Sequence, residues 1–256
     1  MAAAGMAAPA APAPLHAAAA AAAAVKLDCD HTPPPMPADE PVQTFEGEWD
    51  DEGVWVYQAF NDAIADWALE HQRLGGPAFK PVRMTWIKPS FGWVLYRSGY
   101  GQKHNQKRVL KIKLTHAAMA GLLAQCQCKE GGGGSFGRVQ WDPARDVMTA
   151  VGKEPRRMLR TRAIQIGLKA DLSRQYVDAI IAIRDVTDLA HAVGKAHGSK
   201  RGADAMMAAL APRLPVERPY LPELPEEALV RLAMLPGKPA RHVAQIGRGR
   251  VGEPER

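Results

Sequence analysis

The chain has 256 residues, 46% of them hydrophobic and 23% charged, the proportions of a globular protein with one sizeable domain and material to spare at both ends. Three cysteines, Cys29, Cys126 and Cys128, exclude a disulfide framework and point to a reducing compartment, cytoplasm or nucleus, with import into an organelle left open. No strongly apolar run reaches membrane-spanning length and no Cys or His spacing matches a closed metal site, so neither a membrane nor a metal is expected.

The net charge of +6 hides a strong sorting along the chain. Residues 39–52 hold seven acids and no base, whereas residues 71–129 hold eleven Lys or Arg and no acid. A basic run of that length favours an anionic partner, either a nucleotide or RNA/DNA. The competing explanation is that the acidic segment docks on a basic face of the same molecule.

In chain order, residues 1–43 form an Ala/Pro-rich low-complexity leader that is expected not to pack. The core domain is placed at 44–197, since all six tryptophans fall between Trp49 and Trp141. Residues 54–59 read as a strand, followed by a helix capped by Asn61 and stopped at Gly75-Gly76. Pro89 interrupts the next segment, and Ser90 caps a short helix over 91–97. Residues 109–114 alternate, with Leu110, Ile112 and Leu114 on one face and Lys111 and Lys113 pointing outward, and Thr115 caps a helix over 116–124. The glycine-rich stretch 129–137 lacks the Gly-Lys-Ser/Thr ending of a phosphate loop and reads as a flexible linker. A short strand over 138–141 stops at an Asp142-Pro143 turn, and a second strand over 162–168 carries Gln165 at its middle. Helices follow over 170–181 and 188–197, the latter capped by Thr187. Residues 198–256 form a proline-rich extended arm and tail, with one short helix near 226–234. Strands and helices mix without regular βαβ alternation, which predicts an α+β fold, a single domain with a mixed or antiparallel sheet flanked by helices.

Five blocks stand out together: Val56-Tyr57-Gln58-Ala59, the run from Arg83 to Phe91, Tyr96-Arg97-Ser98, Val139 to Pro143, and Ile164 to Leu168. In this order they resemble the uncharacterised family called domain of unknown function 4291, over about 54–193 and including the Glu217-Arg218-Pro219-Tyr220 patch. A weaker resemblance is to the ADP-ribosyltransferase superfamily, with Tyr57-Gln58-Ala59-Phe60 at the place of a Tyr-His-Gly-Thr type of strand motif. Residues 90–96 then match its second segment, and Gln165 or Asp142 its late strand. Gln58 stands where those enzymes carry His, and neither late strand holds a Glu.

That second resemblance implies NAD as a donor and a set of roles. Tyr57 or Tyr96 would stack on the nicotinamide, Gln58 would contact its amide, and Arg83, Lys88 and Arg97 would clamp the pyrophosphate. Ser90 belongs to the catalytic set with Gln58, Asp142 and Gln165; only Asp142 can act as a base, an amide being able only to orient a hydroxyl. Trp93, Tyr96 and Arg97 share a helix face, which suits stacking or phosphate contact. The plainer alternative is that Gln58 and Gln165 are sheet-face residues satisfied locally and that Trp67 and Trp86 are core.

The main rival function is a nucleic-acid-binding module without catalysis, with Lys103, His104, Lys107 and Arg108 leading into outward-facing Lys111 and Lys113. A non-catalytic interaction protein is a third. An enzyme requires Arg83, Lys88, Arg97 and a late-strand polar residue in one concave pocket, whereas a binding module requires its bases spread over an open face.

Overall fold

The computed structural model describes residues 42–43, 45–128, 136–148 and 158–234. The leader up to residue 41, most of the glycine-rich stretch and the tail beyond 234 lie outside the described residues. Two short strands, Val42–Gln43 (β1) and Glu46–Gly47 (β2), precede the long strand Gly53–Phe60 (β3) and the helix Asp62–His71 (α1). Next come Thr85–Ile87 (β4), Phe91–Ser98 (α2), Arg108–Thr115 (β5), His116–Ala124 (α3) and Cys126–Cys128 (β6). Strands Gly137–Arg145 (β7) and Met158–Leu168 (β8), helix Asp171–Asp178 (α4), strand Ile180–Asp185 (β9) and helix Thr187–Gly198 (α5) follow. Ala203–Leu210 (α6), Arg218–Pro219 (β10) and Glu226–Arg231 (α7) complete the order.

Three helices start where a capping side chain satisfies a free backbone donor. Asn61 accepts from the Ile64 N–H at 3.0 Å, Ser90 from Trp93 at 3.3 Å and Thr115 from Ala118 at 3.1 Å. Thr187 does not cap α5. Its hydroxyl donates to Asp185 and accepts from the Val109 N–H at 2.9 Å, tying the helix start to β5.

The expected turn at Asp142-Pro143 is absent, and β7 runs through both residues. Among the described residues β6 pairs with β7 only at 137–139, so a proline at 143 interrupts no described ladder on that edge. The register with β8 shifts between Pro143 and Arg145. The helix expected to reach residue 181 stops at Asp178, and the isoleucine-rich stretch after it becomes β9, paired along β5. Nor is the segment from 198 only an extended arm, because α6, β10 and α7 lie on the domain. Met207, Tyr220, Leu229 and Leu232 are buried among core residues, and β10 pairs with β2.

The fold is α+β. An antiparallel sheet of order β3-β5-β9 stands beside a mixed sheet of order β1-β8-β7-β6, with β4 added to the same edge of β8 as β1. Among the described residues one antiparallel bridge links them: the Tyr57 N–H donates to the Lys88 carbonyl at 2.7 Å, and the Lys88 N–H donates back at 3.2 Å. The seam between the two sheets runs beside Lys88.

Much of the basic run is neutralised within the chain. Glu48 holds the Lys111 ammonium at 2.7 Å, Asp50 and Glu52 hold Lys113, and both ammonium groups lie over the Trp55 ring. Lys113, expected on a solvated face, is 6% exposed. Arg108 is taken by Asp66 and Asp185. On this face the acidic segment covers the basic strand, as the competing explanation had it.

Candidate active site

The seam opens into a cleft of about 810 Å³. Its floor comes from β7 and β8, where Gln140 lies opposite Gln165 and Asp142 opposite Ala163. Residues at i and i+2 of a strand share a face, so Gln140 and Asp142 point the same way. One wall is Gln58 of β3 with Thr85 and Trp86 of β4, another is the face of α2 bearing Trp93, Tyr96 and Arg97, and Arg83, Asn105 and Gln106 form the rim.

The charged groups are held in distinct ways. Asp142 accepts from Gln140 Nε2 at 2.9 Å through Oδ1 and from Gln165 Nε2 through Oδ2. Two amide donors fix the plane of the carboxylate. Lys88 is 8% exposed and donates to the Trp86 carbonyl at 3.1 Å. Burial pushes its ammonium down to about 7, the nearby Arg97 charge adds to this, and Asp142 opposes it. Arg83 and Arg97 are exposed and make no ion pair among the described residues. The Trp93 indole N–H is buried without an acceptor among them, a condition that native structures seldom leave unexplained.

Seven of the nine residues singled out in the sequence meet here: Gln58, Arg83, Lys88, Tyr96, Arg97, Asp142 and Gln165 all line the cleft. Tyr57 and Ser90 do not. Tyr57 faces away from the cleft, 1% exposed, with its ring 5.1 Å from Phe91 and its hydroxyl donating to Glu48 at 3.3 Å. Burial, with Glu48 and Glu217 nearby, holds that hydroxyl well above its ordinary range. Ser90 is buried as the α2 cap.

Gln58 lines the cleft but its amide is committed. Nε2 donates to Thr85 Oγ1 at 2.7 Å and to the Trp86 carbonyl at 3.2 Å, while Oε1 accepts from the Tyr176 hydroxyl at 2.8 Å. It therefore cross-links β3, β4 and α4, and has no donor to spare for a nicotinamide amide. The Tyr96 ring is likewise occupied, stacked on Trp93 at 5.0 Å with the Arg145 guanidinium 4.0 Å from its centroid. Arg145, not Arg97, is the arginine beside this aromatic pair.

Sequence reasoning missed three contributors. Gln140 was legible from its i−2 spacing to Asp142. Trp86, read as core, is half-buried on the cleft wall and packs over Gly167, where a Cβ would lie 2.9 Å from its ring and from the Met84 sulfur. Glu217 lies in a distant segment, yet its carboxylate accepts from the Phe91 N–H and fixes the start of α2. Burial pushes Glu217 up to about 8; its bonds to Phe91 and Ser90 oppose the shift, and Glu46 and Glu48 add to it. Away from the cleft, Cys126 is buried, with its thiol pushed up to about 12 by burial, so it is a poor nucleophile or ligand.

An α+β domain with a polar, cation-lined cleft where two sheets meet is the class that fold and site define. Residues 44–220 match the family described as Domain of unknown function (DUF4291), and the chain belongs to that family. No curated protein matches it. Among the described residues no helix is long and apolar enough to cross a membrane.

Proposed function

We propose that the protein is a nucleotide-using transferase of the ADP-ribosyltransferase-like kind, with NAD as donor held in this cleft. The observation that carries this is the convergence of Arg83, Lys88 and Arg97 on one concave site whose floor holds Asp142. Three cations around one carboxylate suit a ligand with a pyrophosphate at one end and a centre of developing positive charge at the other.

In this scheme Arg83 and Arg97 grip phosphate oxygens through their planar forks, and Lys88 adds a point charge. The Trp93 indole N–H donates to a ligand oxygen. As the bond between the ribose and nicotinamide breaks, nicotinamide leaves with the electron pair and Asp142 stabilises the positive charge left on the sugar. An acceptor hydroxyl then forms the new bond to the sugar and gives its proton to Asp142. Gln140 and Gln165 are positioning residues acting through Asp142, and Gln58 holds β4 in place without touching the ligand. Nucleic-acid binding without catalysis is less well supported, since Arg108, Lys111 and Lys113 are neutralised within the chain.

A thermal-shift screen of NAD, ADP-ribose and ATP tests this. NAD and ADP-ribose are expected to raise the melting temperature of wild type by several degrees at saturating concentration, with most of the shift lost in Arg97→Ala. No shift with any of the three, or an equal shift in the variant, would overturn the assignment.

A further inference from the structure

We propose that the rim of the cleft is a track for single-stranded nucleic acid, which presents one unstacked nucleotide to the cleft as the acceptor of the transfer. This rests on the transferase reading of the same cleft.

The basic run divides in space according to whether its charges are already satisfied. Arg73, Arg108, Lys111 and Lys113 each pair with a carboxylate. Arg83 and Arg97 on the cleft, and Lys103, His104 and Lys107 on the loop beside it, are exposed and make no ion pair among the described residues. Among the described residues the acids thus pair with one set of cations and leave these others open. Coulomb attraction in the row is therefore available to an outside anion.

The loop over 99–107 is a sequence of hydrogen-bonded turns. Ser98 Oγ accepts from the Gly101 N–H at 3.1 Å, the Lys103 N–H donates to the Ser98 carbonyl at 3.0 Å, and Gln106 N–H donates to Lys103 at 3.0 Å. Gly99, Tyr100, Gly101 and Asn105 take the left-handed conformation these turns need. The Lys103 ammonium is held 2.8 Å from the Arg97 carbonyl, which joins the loop to α2. Asn105 and Gln106 of the same loop line the cleft. The loop that carries Lys103, His104 and Lys107 therefore borders the site.

A repeating phosphate chain fits this row better than other anions. With Arg83 and Arg97 engaged on the donor, successive phosphates of the strand match the successive cations Lys103, His104 and Lys107. A duplex would have to extrude a nucleotide before it could enter, whereas a single strand offers one directly. Inside, the half-buried Trp86 ring and the Asn105 and Gln106 amides supply the stacking surface and hydrogen-bonding groups that a base and sugar require.

The test is fluorescence anisotropy of a labelled 12-nucleotide single strand titrated with the full chain at several salt concentrations. Wild type is expected to bind saturably. The double variant Lys103→Ala/Lys107→Ala is expected to bind at least 10-fold more weakly, with a log–log salt slope shallower by about 1.4, roughly 0.7 for each phosphate contact removed. Arg174→Ala, which removes an exposed cation paired with Asp171, is expected to bind as wild type does. A duplex that binds as tightly as the single strand, polyglutamate that competes on equal terms, or a double variant that binds normally would each overturn the proposal. NAD titrated into the same samples separates the two claims. NAD bound with no oligonucleotide bound defeats the track alone, and oligonucleotide bound with no NAD or ADP-ribose bound defeats the transferase and, with it, the acceptor role.

Discussion

Lys88 shows most plainly how a single residue sets the properties of the site. Its ammonium is buried with one carbonyl as its hydrogen-bond partner, an arrangement that costs stability whenever the amine is charged. Its folded pKa of about 7 lies below the ordinary 10.5, so the unfolded chain holds the proton more tightly. The stability that accompanies the neutral amine is therefore full above about 10.5 and is lost as pH falls through about 7. Lys88→Met is expected to stabilise the fold at pH 6, on the order of a few kcal/mol, and to gain far less at pH 10, as urea unfolding at the two pH values would show. An anion in the cleft reverses the balance, because it favours the ammonium. Ligand binding should then take up a proton between pH 7 and 8.5 and weaken as pH rises, seen as buffer-dependent heats in calorimetry. Asp142→Asn makes the complementary prediction: nicotinamide release from NAD falls at least 100-fold while ADP-ribose affinity stays within about threefold, since in the proposed transfer the carboxylate acts on developing charge and not on phosphate.

At the scale of elements, the cleft depends on close packing between short pieces. Adding a methyl group at Gly167 would press on Trp86 and the Met84 sulfur at 2.9 Å, so Gly167→Ala should destabilise by about 1–3 kcal/mol in chemical denaturation and weaken ADP-ribose binding by shifting β4. Helix α2 is held at its start by Glu217, whose folded pKa of about 8 lies above the ordinary 4.5. Its contribution to stability is full below about 4.5 and is lost as pH rises through about 8. Glu217→Gln keeps an acceptor for the Phe91 N–H, so its melting temperature should exceed that of wild type by more at pH 9 than at pH 5. Local signals placed the three caps correctly because a cap spans only four consecutive residues, but they carried α1 on to Gly75-Gly76 where the helix ends at His71. They misplaced Thr187, whose hydroxyl acts across to β5, and missed β4, whose three residues carry no period. They also carried a helix into β9, where Ile180, Ile181 and Ile183 fit either pattern until β5 is placed beside them.

For the whole molecule, fold class was legible from the mixture of strand and helix patterns, but the one-bridge junction between sheets was not, because nothing periodic marks Tyr57 and Lys88 as partners. Four residues that line the cleft, Arg83, Lys88, Arg97 and Asp142, were legible in the sequence by their charge type. Strand geometry explains one failure, since Tyr57 and Gln58 are adjacent on β3 and only one of them can face the cleft. Long-range docking explains another, since only the folded chain brings Glu48, Asp50 and Glu52 onto Lys111 and Lys113. Calorimetric titration of ADP-ribose into wild type and into Arg83→Ala/Arg97→Ala at pH 7.5 tests the central claim most directly. Saturable one-to-one binding with proton uptake, weakened at least 10-fold in the variant, is the predicted result; no binding at millimolar ligand, or the same affinity in both proteins, would contradict it.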